Sequence, residues 1–270
     1  MTRPRWGRKA GAVAAGMLFL LPLAFMILAS LRRPGLPPPD GFELWPEGAS
    51  VDTYRFVSLF VPIWDQMINS LIVVAIAVPL SVLIASLAGF AIATARGRTR
   101  TVLVVLTVVA MMVPLGAIWV PRFVLFQKLG LTDSLVALTM PALMGTAPFY
   151  VLIFALAYSR IDRGLFDAAR LDGWSPFGVW RKVAFPLAKP AVFAVAVLTF
   201  VTYWANFTDP LLYLNDETLF TVPMGLRQLQ TLEPQNFPLL LAAGVIATLP
   251  AVIAFLAVQR AFFTKTLETG

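Results

Sequence analysis

The sequence predicts an all-α membrane protein with six transmembrane helices and a charged helical segment between the fourth and fifth, and three observations carry that prediction. Of 270 residues, 59% are hydrophobic and 13% charged, with a mean hydropathy of +0.81, more apolar side chain than a soluble core can hide. The apolar residues gather into six runs, at about 10–31, 70–95, 101–121, 135–159, 190–213 and 238–259. Each reaches the roughly 20 residues that a 1.5 Å helical rise needs to cross a hydrocarbon layer about 30 Å thick. Five of the six runs hold no Asp, Glu, Lys or Arg, and the exception, the fifth, holds only Asp209.

Taken in order, residues 1–9 form a basic cytoplasmic tail and 10–31 the first span. The first run is longer than a signal core and has no clear small-residue cleavage site before Arg32, so it is expected to be retained. Residues 32–69 form an extracytoplasmic loop, proline-rich and acidic-aromatic. Residues 70–270 form a five-helix core interrupted by the charged segment 160–190.

Basic residues orient the spans. The tail and the inward loops carry Arg3, Arg5, Arg8, Lys9, Arg96, Arg98, Arg100, Arg160, Arg163, Arg170, Arg181, Lys182, Lys189, Arg260 and Lys265, 15 of the 21 Lys and Arg. The opposite loops hold 10 of the 14 acidic residues, among them Asp40, Glu43, Glu47, Asp133 and Asp216. The positive-inside rule then puts both termini and segment 160–190 in the cytoplasm. Membrane topology accounts for the net charge of +7, so no nucleic acid partner is expected. The chain has no cysteine and no histidine, which excludes disulfides, thiol chemistry, Cys/His metal sites and imidazole catalysis.

Segment 160–190 reads as a helix, a break and a second helix. Asp162 caps the first, Leu165, Ala168, Ala169 and Asp172 share a face, and Gly173 supplies a C-terminal stop. Ser175 followed by Pro176 restarts the helix, which runs until Pro186 ends it, and Pro190 opens the fifth span. A solvated linker is the alternative reading of the same residues.

The segment resembles the EAA signature of ABC importer permeases. Asp167-Ala168-Ala169 matches with Asp in place of Glu, Asp172-Gly173 matches, and Pro186-Leu187 and Pro190 follow at the family's spacing. Trp174 departs from the small residue usual there. "MINSLIVVAIAVPLSVLIASLAGFAIA" and "YWANFTDPLLYLNDETLFTVPMGL" are similar to the carbohydrate-uptake permeases of the maltose and glycerol-phosphate type. In the second stretch Ala205 stands where Asn is usual, with Asn206 one place later, and Asp209 replaces a commonly aromatic residue.

The resemblance implies a multi-pass cell-membrane permease, not an enzyme, that forms half of a sugar pore. Its implied partners are a second homologous permease, two ATPase subunits, an extracytoplasmic solute-binding protein and the surrounding lipid. The chain has no Gly-x-x-x-x-Gly-Lys-Ser/Thr loop, so ATP and Mg are expected in the ATPases and no cofactor or metal in this chain. The elbow at 162–185 would be a cytoplasmic coupling helix, with Asp167, Ala168, Ala169, Asp172 and Gly173 docking on an ATPase. Tyr203, Trp204, Asn206 and Asp209 are the expected substrate path, since sugars need hydrogen-bonding groups and flat apolar faces. Asp209 at the water-exposed outer edge of the span, and Trp and Tyr as interfacial anchors, are the alternatives. The loop 32–65 either faces the binding protein or only connects two spans, and the loop around 214–237 resembles the family segment that approaches the binding protein's ligand cleft. The same architecture carrying a polyol, glycerophosphodiester or amino sugar is the nearest competing function. A membrane-embedded enzyme would need convergent acids or a metal site, and an ion-coupled carrier would need internal repeats or interrupted spans with charged pairs. No such features are read from the sequence.

Overall fold

The computed structural model describes the backbone of residues 5–38, 41, 45, 46, 48–143 and 147–266, and side chains within 11–256 other than that of residue 12. Arg3, Asp40, Glu43 and Glu47, and the side chains of Arg5, Arg8, Lys9, Arg260 and Lys265, lie outside the described residues. Every described element is helical, and no strand occurs among the described residues. Three helices are long and apolar enough to cross a membrane unaided, with candidate spans at Val13–Ser30, Ile63–Thr94 and Phe237–Leu256. Their surfaces suit lipid: Phe19 is 80% exposed and Leu18 and Leu20 beside it also face outward.

The chain divides into two compact units, residues 1–67 with 224–254 and residues 68–223 with 255–270. In the first unit, α1 (Arg5–Ser30) ends where the Ser30 hydroxyl donates to the Ile27 carbonyl at 2.6 Å. Ser30 also bonds the Tyr54 hydroxyl of α2 (Asp52–Phe60) at 2.6 Å. The Thr53 hydroxyl donates to the Arg32 carbonyl, and the Asn236 side chain accepts from the Gly35 N–H at 2.8 Å. These bonds close the proline-rich loop onto the start of α14 (Phe237–Thr266). Gln66, in the first turn of α3 (Ile63–Thr94), packs so closely on Gly225 of α13 (Val222–Leu232) that any β-carbon there would overlap its amide.

The second unit holds the rest of α3, then α4 (Gly97–Met112), α5 (Leu115–Lys128), α6 (Leu135–Leu143) and α7 (Pro148–Ser159). After these come α8 (Arg163–Leu171), α9 (Pro176–Val179), a π turn (Trp180–Ala184), α10 (Phe185–Leu187), α11 (Lys189–Trp204) and α12 (Thr208–Tyr213). One core cluster joins α3, α7, α8 and α11 around Phe90, Phe154, Tyr158, Phe166 and Val195. The glycine of the "LAGF" stretch permits that packing. A β-carbon on Gly89 would sit 2.5 Å from Phe154 Cβ and 2.8 Å from the Ala155 nitrogen, so α3 and α7 touch through their backbones.

Three of the six expected spans are broken rather than continuous. In run 101–121, Pro114 forces Val113 into extended geometry (ψ 118°), and α5 leaves α4 at 89°. In run 135–159, α7 restarts at Pro148 with a 42° bend from α6. In run 190–213, the helix stops at Trp204 and restarts as α12, because the Asn206 side chain accepts from the Asp209 N–H at 3.2 Å in place of a helical carbonyl. Interrupted spans are therefore present, contrary to the reading from sequence. The second run starts earlier than expected, at Ile63, and the sixth continues to Thr266.

Pro186 does not end the second elbow helix. The Phe185 N–H donates to the Trp180 carbonyl five residues back, and this widened turn makes room for the proline ring within α10. The helix breaks instead at Ala188, with an 83° bend between 176–187 and 189–204, where Pro190 cannot donate.

Replacing Gly89 by Val should wedge α3 from α7 and cost about 1–3 kcal/mol. Thermal unfolding of the purified chain in detergent checks this, and an unchanged midpoint contradicts the backbone contact.

Candidate functional site

Two constellations stand out, both in the second unit. The first is a cavity of about 260 Å³ lined by α3, α5, α6, α7, α11 and α12, with Ser81, Trp119, Arg122, Tyr150, Tyr203, Asn206 and Asp209 among its walls. Asp209 is 7% exposed and Arg122 is 8% exposed. They form an ion pair between Arg122 Nη2 and Asp209 Oδ1. Arg122 Nε donates to the Tyr213 hydroxyl at 2.6 Å, and Asn206 Nδ2 donates to Asp209 Oδ2 at 2.9 Å. The Tyr213 ring stacks on Phe123 and meets Phe126 edge-on, and the Tyr150 hydroxyl bonds Thr202 Oγ1 at 3.2 Å.

Of the expected path residues, Tyr203, Asn206 and Asp209 line this cavity. Trp204 does not; it is buried and stacks on Phe200 at 5.6 Å. Arg122 was not among the residues singled out from the sequence. A carboxylate in an apolar run calls for a cation nearby, and Arg122, directly after the third run, is one candidate, as Arg100, directly before it, is another.

The second constellation is the elbow, residues 162–187. Asp162 accepts from the Gly164 N–H at 3.0 Å, and Ser175 from the Gly178 N–H at 3.2 Å, so both helices carry side-chain caps. Between them Gly173 has φ +84°, its N–H donates to the Arg170 carbonyl, and the Trp174 N–H donates to the Ala169 carbonyl. That is a Schellman turn, which favours glycine at its left-handed position. Asp167, Ala168, Asp172 and Gly173 are exposed, as is Leu171 at 89%, whereas Ala169 is buried in the chain's own core. Asp167 pairs with Arg170 at 3.5 Å, and Lys182 Nζ lies 4.4 Å over the Trp174 ring, holding it against the elbow.

The elbow is pinned from beneath. Trp180 Nε1 donates to Ser86 Oγ of α3 at 2.9 Å, and Ser86 bonds the Tyr158 hydroxyl of α7 at 2.5 Å, all three buried. Phe166 meets Phe90 edge-on at 5.7 Å.

At the other end of α3, Asn69 Nδ2 donates to the Thr218 and Phe220 carbonyls, and Ser70 Oγ accepts from the Val222 N–H. Asp133, with φ +59°, accepts from the Asn215 and Asp216 N–H groups. Hydrogen bonds from the Thr218 hydroxyl and N–H hold the Asp216 carboxyl below its ordinary range. This turn is therefore supported above the usual aspartate pKa and loses that support as pH falls through the lowered value.

Broken apolar helices around a polar, charge-paired cavity define a multi-pass membrane protein built to handle a solute. The chain belongs to the binding-protein-dependent transport system inner membrane component family, whose model matches residues 58–267. It is thus a membrane component of a transport system and not an enzyme. It is 31% identical over 268 residues to the arabinooligosaccharides transport system permease protein AraQ of Halalkalibacterium halodurans, covering 98% of this chain and 95% of that one. A crystal structure of a bacterial ABC transporter that imports the acidic polysaccharide alginate matches with TM-score 0.76 and 21% identity, over 97% of this chain and 99% of that chain. A second alginate transporter structure, in complex with an alginate pentasaccharide-bound periplasmic protein, matches with TM-score 0.62 and 15% identity, over 95% and 92%. At these identities the structures share the fold.

Replacing Arg122 alone by Met should destabilise the chain by about 3–5 kcal/mol, because Asp209 is left buried and unpaired. The double replacement Arg122→Met with Asp209→Leu should recover most of that loss. Thermal unfolding of the three proteins in detergent is the check.

Proposed function

We propose that this chain forms half of the translocation pore of an ATP-driven importer for a sugar or sugar derivative. A second homologous permease completes the pore, and two ATPase subunits bind ATP and Mg beneath it. An extracytoplasmic binding protein, the partner class that gives the family its description, delivers the solute. Six spans cross the membrane, three of them as bent pairs, with residues 1–9 and the C-terminus in the cytoplasm and 32–69 outside.

The observation that carries the reading is the elbow: ordered, doubly capped, pinned to two spans by Trp180, Ser86 and Tyr158, and apolar at its exposed tip, Leu171. A floppy linker would absorb an ATPase's movement; a capped helix–turn–helix transmits it as one body. Asp167, Ala168, Asp172 and Gly173 face the docking groove, and Ala169 seats the elbow on the spans. Tyr203, Asn206 and Asp209 line the solute's path, with Trp204 supporting the wall from behind. The arabinooligosaccharide permease and the alginate importers among its relatives favour a saccharide as cargo.

Gly173→Asp is expected to leave the protein in the membrane while reducing binding-protein-stimulated ATP hydrolysis by about tenfold or more. A side chain there strains the left-handed turn and projects a charge into the contact. Normal stimulated hydrolysis in the reconstituted complex would defeat the assignment of the elbow.

A further inference from the structure

We propose that the Arg122–Asp209 pair makes the cavity a filter for electrically neutral saccharides, with Asp209 as the residue that sets this selectivity. The proposal rests on the import reading above and adds the substrate class. Arg122 and Asp209 are the only charged groups among the cavity's described walls, and they cancel. Both Asp209 oxygens are engaged, Oδ1 by Arg122 and Oδ2 by Asn206, so no free carboxylate is presented to a cation. Arg122 is likewise paired with Asp209 and donates to the Tyr213 hydroxyl, so its charge is balanced within the wall.

What remains for a ligand is uncharged: the faces of Trp119 and Tyr203 and the hydroxyl of Thr208. These suit the CH faces and hydroxyl edges of a neutral pyranose or furanose ring. A uronate or sugar phosphate would bring a net charge into a space with no balancing countercharge, and would lose its hydration without a paired partner. Asp209 is therefore a specificity-determining residue as well as half of a structural pair. A purely structural pair would affect stability without changing which saccharide is preferred.

Binding of radiolabelled maltotriose, neutral, and trigalacturonate, acidic, to the full chain in nanodiscs tests this with a charge series. The wild-type cavity is neutral, Asp209→Asn leaves +1, Arg122→Gln leaves −1, and the double variant is neutral again. Maltotriose is expected to bind about tenfold tighter than trigalacturonate in the wild type and in the double variant. Asp209→Asn should reverse the preference and Arg122→Gln should widen it by about tenfold. If one of the single variants does not fold, the other, compared with the wild type and the double variant, carries the test. A preference ratio that does not change across the folded variants, or binding of neither trimer by the wild type, overturns the proposal. The import reading is judged separately, by stimulated ATP hydrolysis in the assembled complex, which an unmoved ratio leaves intact.

Discussion

The buried chain Trp180–Ser86–Tyr158 is the contact on which the rest of the second unit depends. It joins three segments distant in sequence: the elbow, the middle of α3 and the end of α7. In an apolar surrounding each of its polar atoms is costly when unpaired, so the trio is stable as a complete set and unstable when incomplete. The elbow is thereby tied to two helices, and those helices touch each other directly at Gly89. The π turn at Trp180–Ala184 belongs to the same design. It lets the helix carry Pro186 and still continue to Leu187 before the chain turns at Ala188 into α11.

The second constraint is the ion pair in the cavity wall. Two charges in an apolar bundle weaken it unless they meet, and here they meet between α5 and α12, the short segments that follow breaks in their spans. Asn206 shows the economy of this arrangement: its carbonyl oxygen caps the restart of α12, and its amide nitrogen holds Asp209. A helix interruption and a polar cavity are one feature seen from two sides.

Much of the elbow was legible in the sequence, because its signals are local. Asp162, Gly173, Ser175 and Pro176 act within four residues of where they stand, and both caps and the left-handed turn occur as expected. The apolar runs were legible for the same reason, since span length is a property of contiguous residues. The breaks were not. Pro114 and Pro148 lie in runs as apolar as the unbroken second run, which itself carries Pro79 inside a continuous helix, so a proline alone does not decide the matter. Arg122 was not singled out because its partner lies 87 residues away. Trp204 was assigned to the path by composition, while the helix phase turns it onto Phe200. Ser86, a small hydroxyl in an apolar run, gives no sequence sign of the bridge it completes.

The central claim is that the exposed tip of the elbow is where an ATPase grips this chain. Because the protein has no cysteine, Leu171→Cys places a unique thiol at that tip. Short bifunctional cross-linking of this variant in membranes that contain the assembled transporter is the direct measurement. The account predicts a covalent adduct with an ATPase subunit whose yield changes when ATP is added. A thiol that reacts freely with small reagents yet never joins an ATPase, with or without nucleotide, would contradict it.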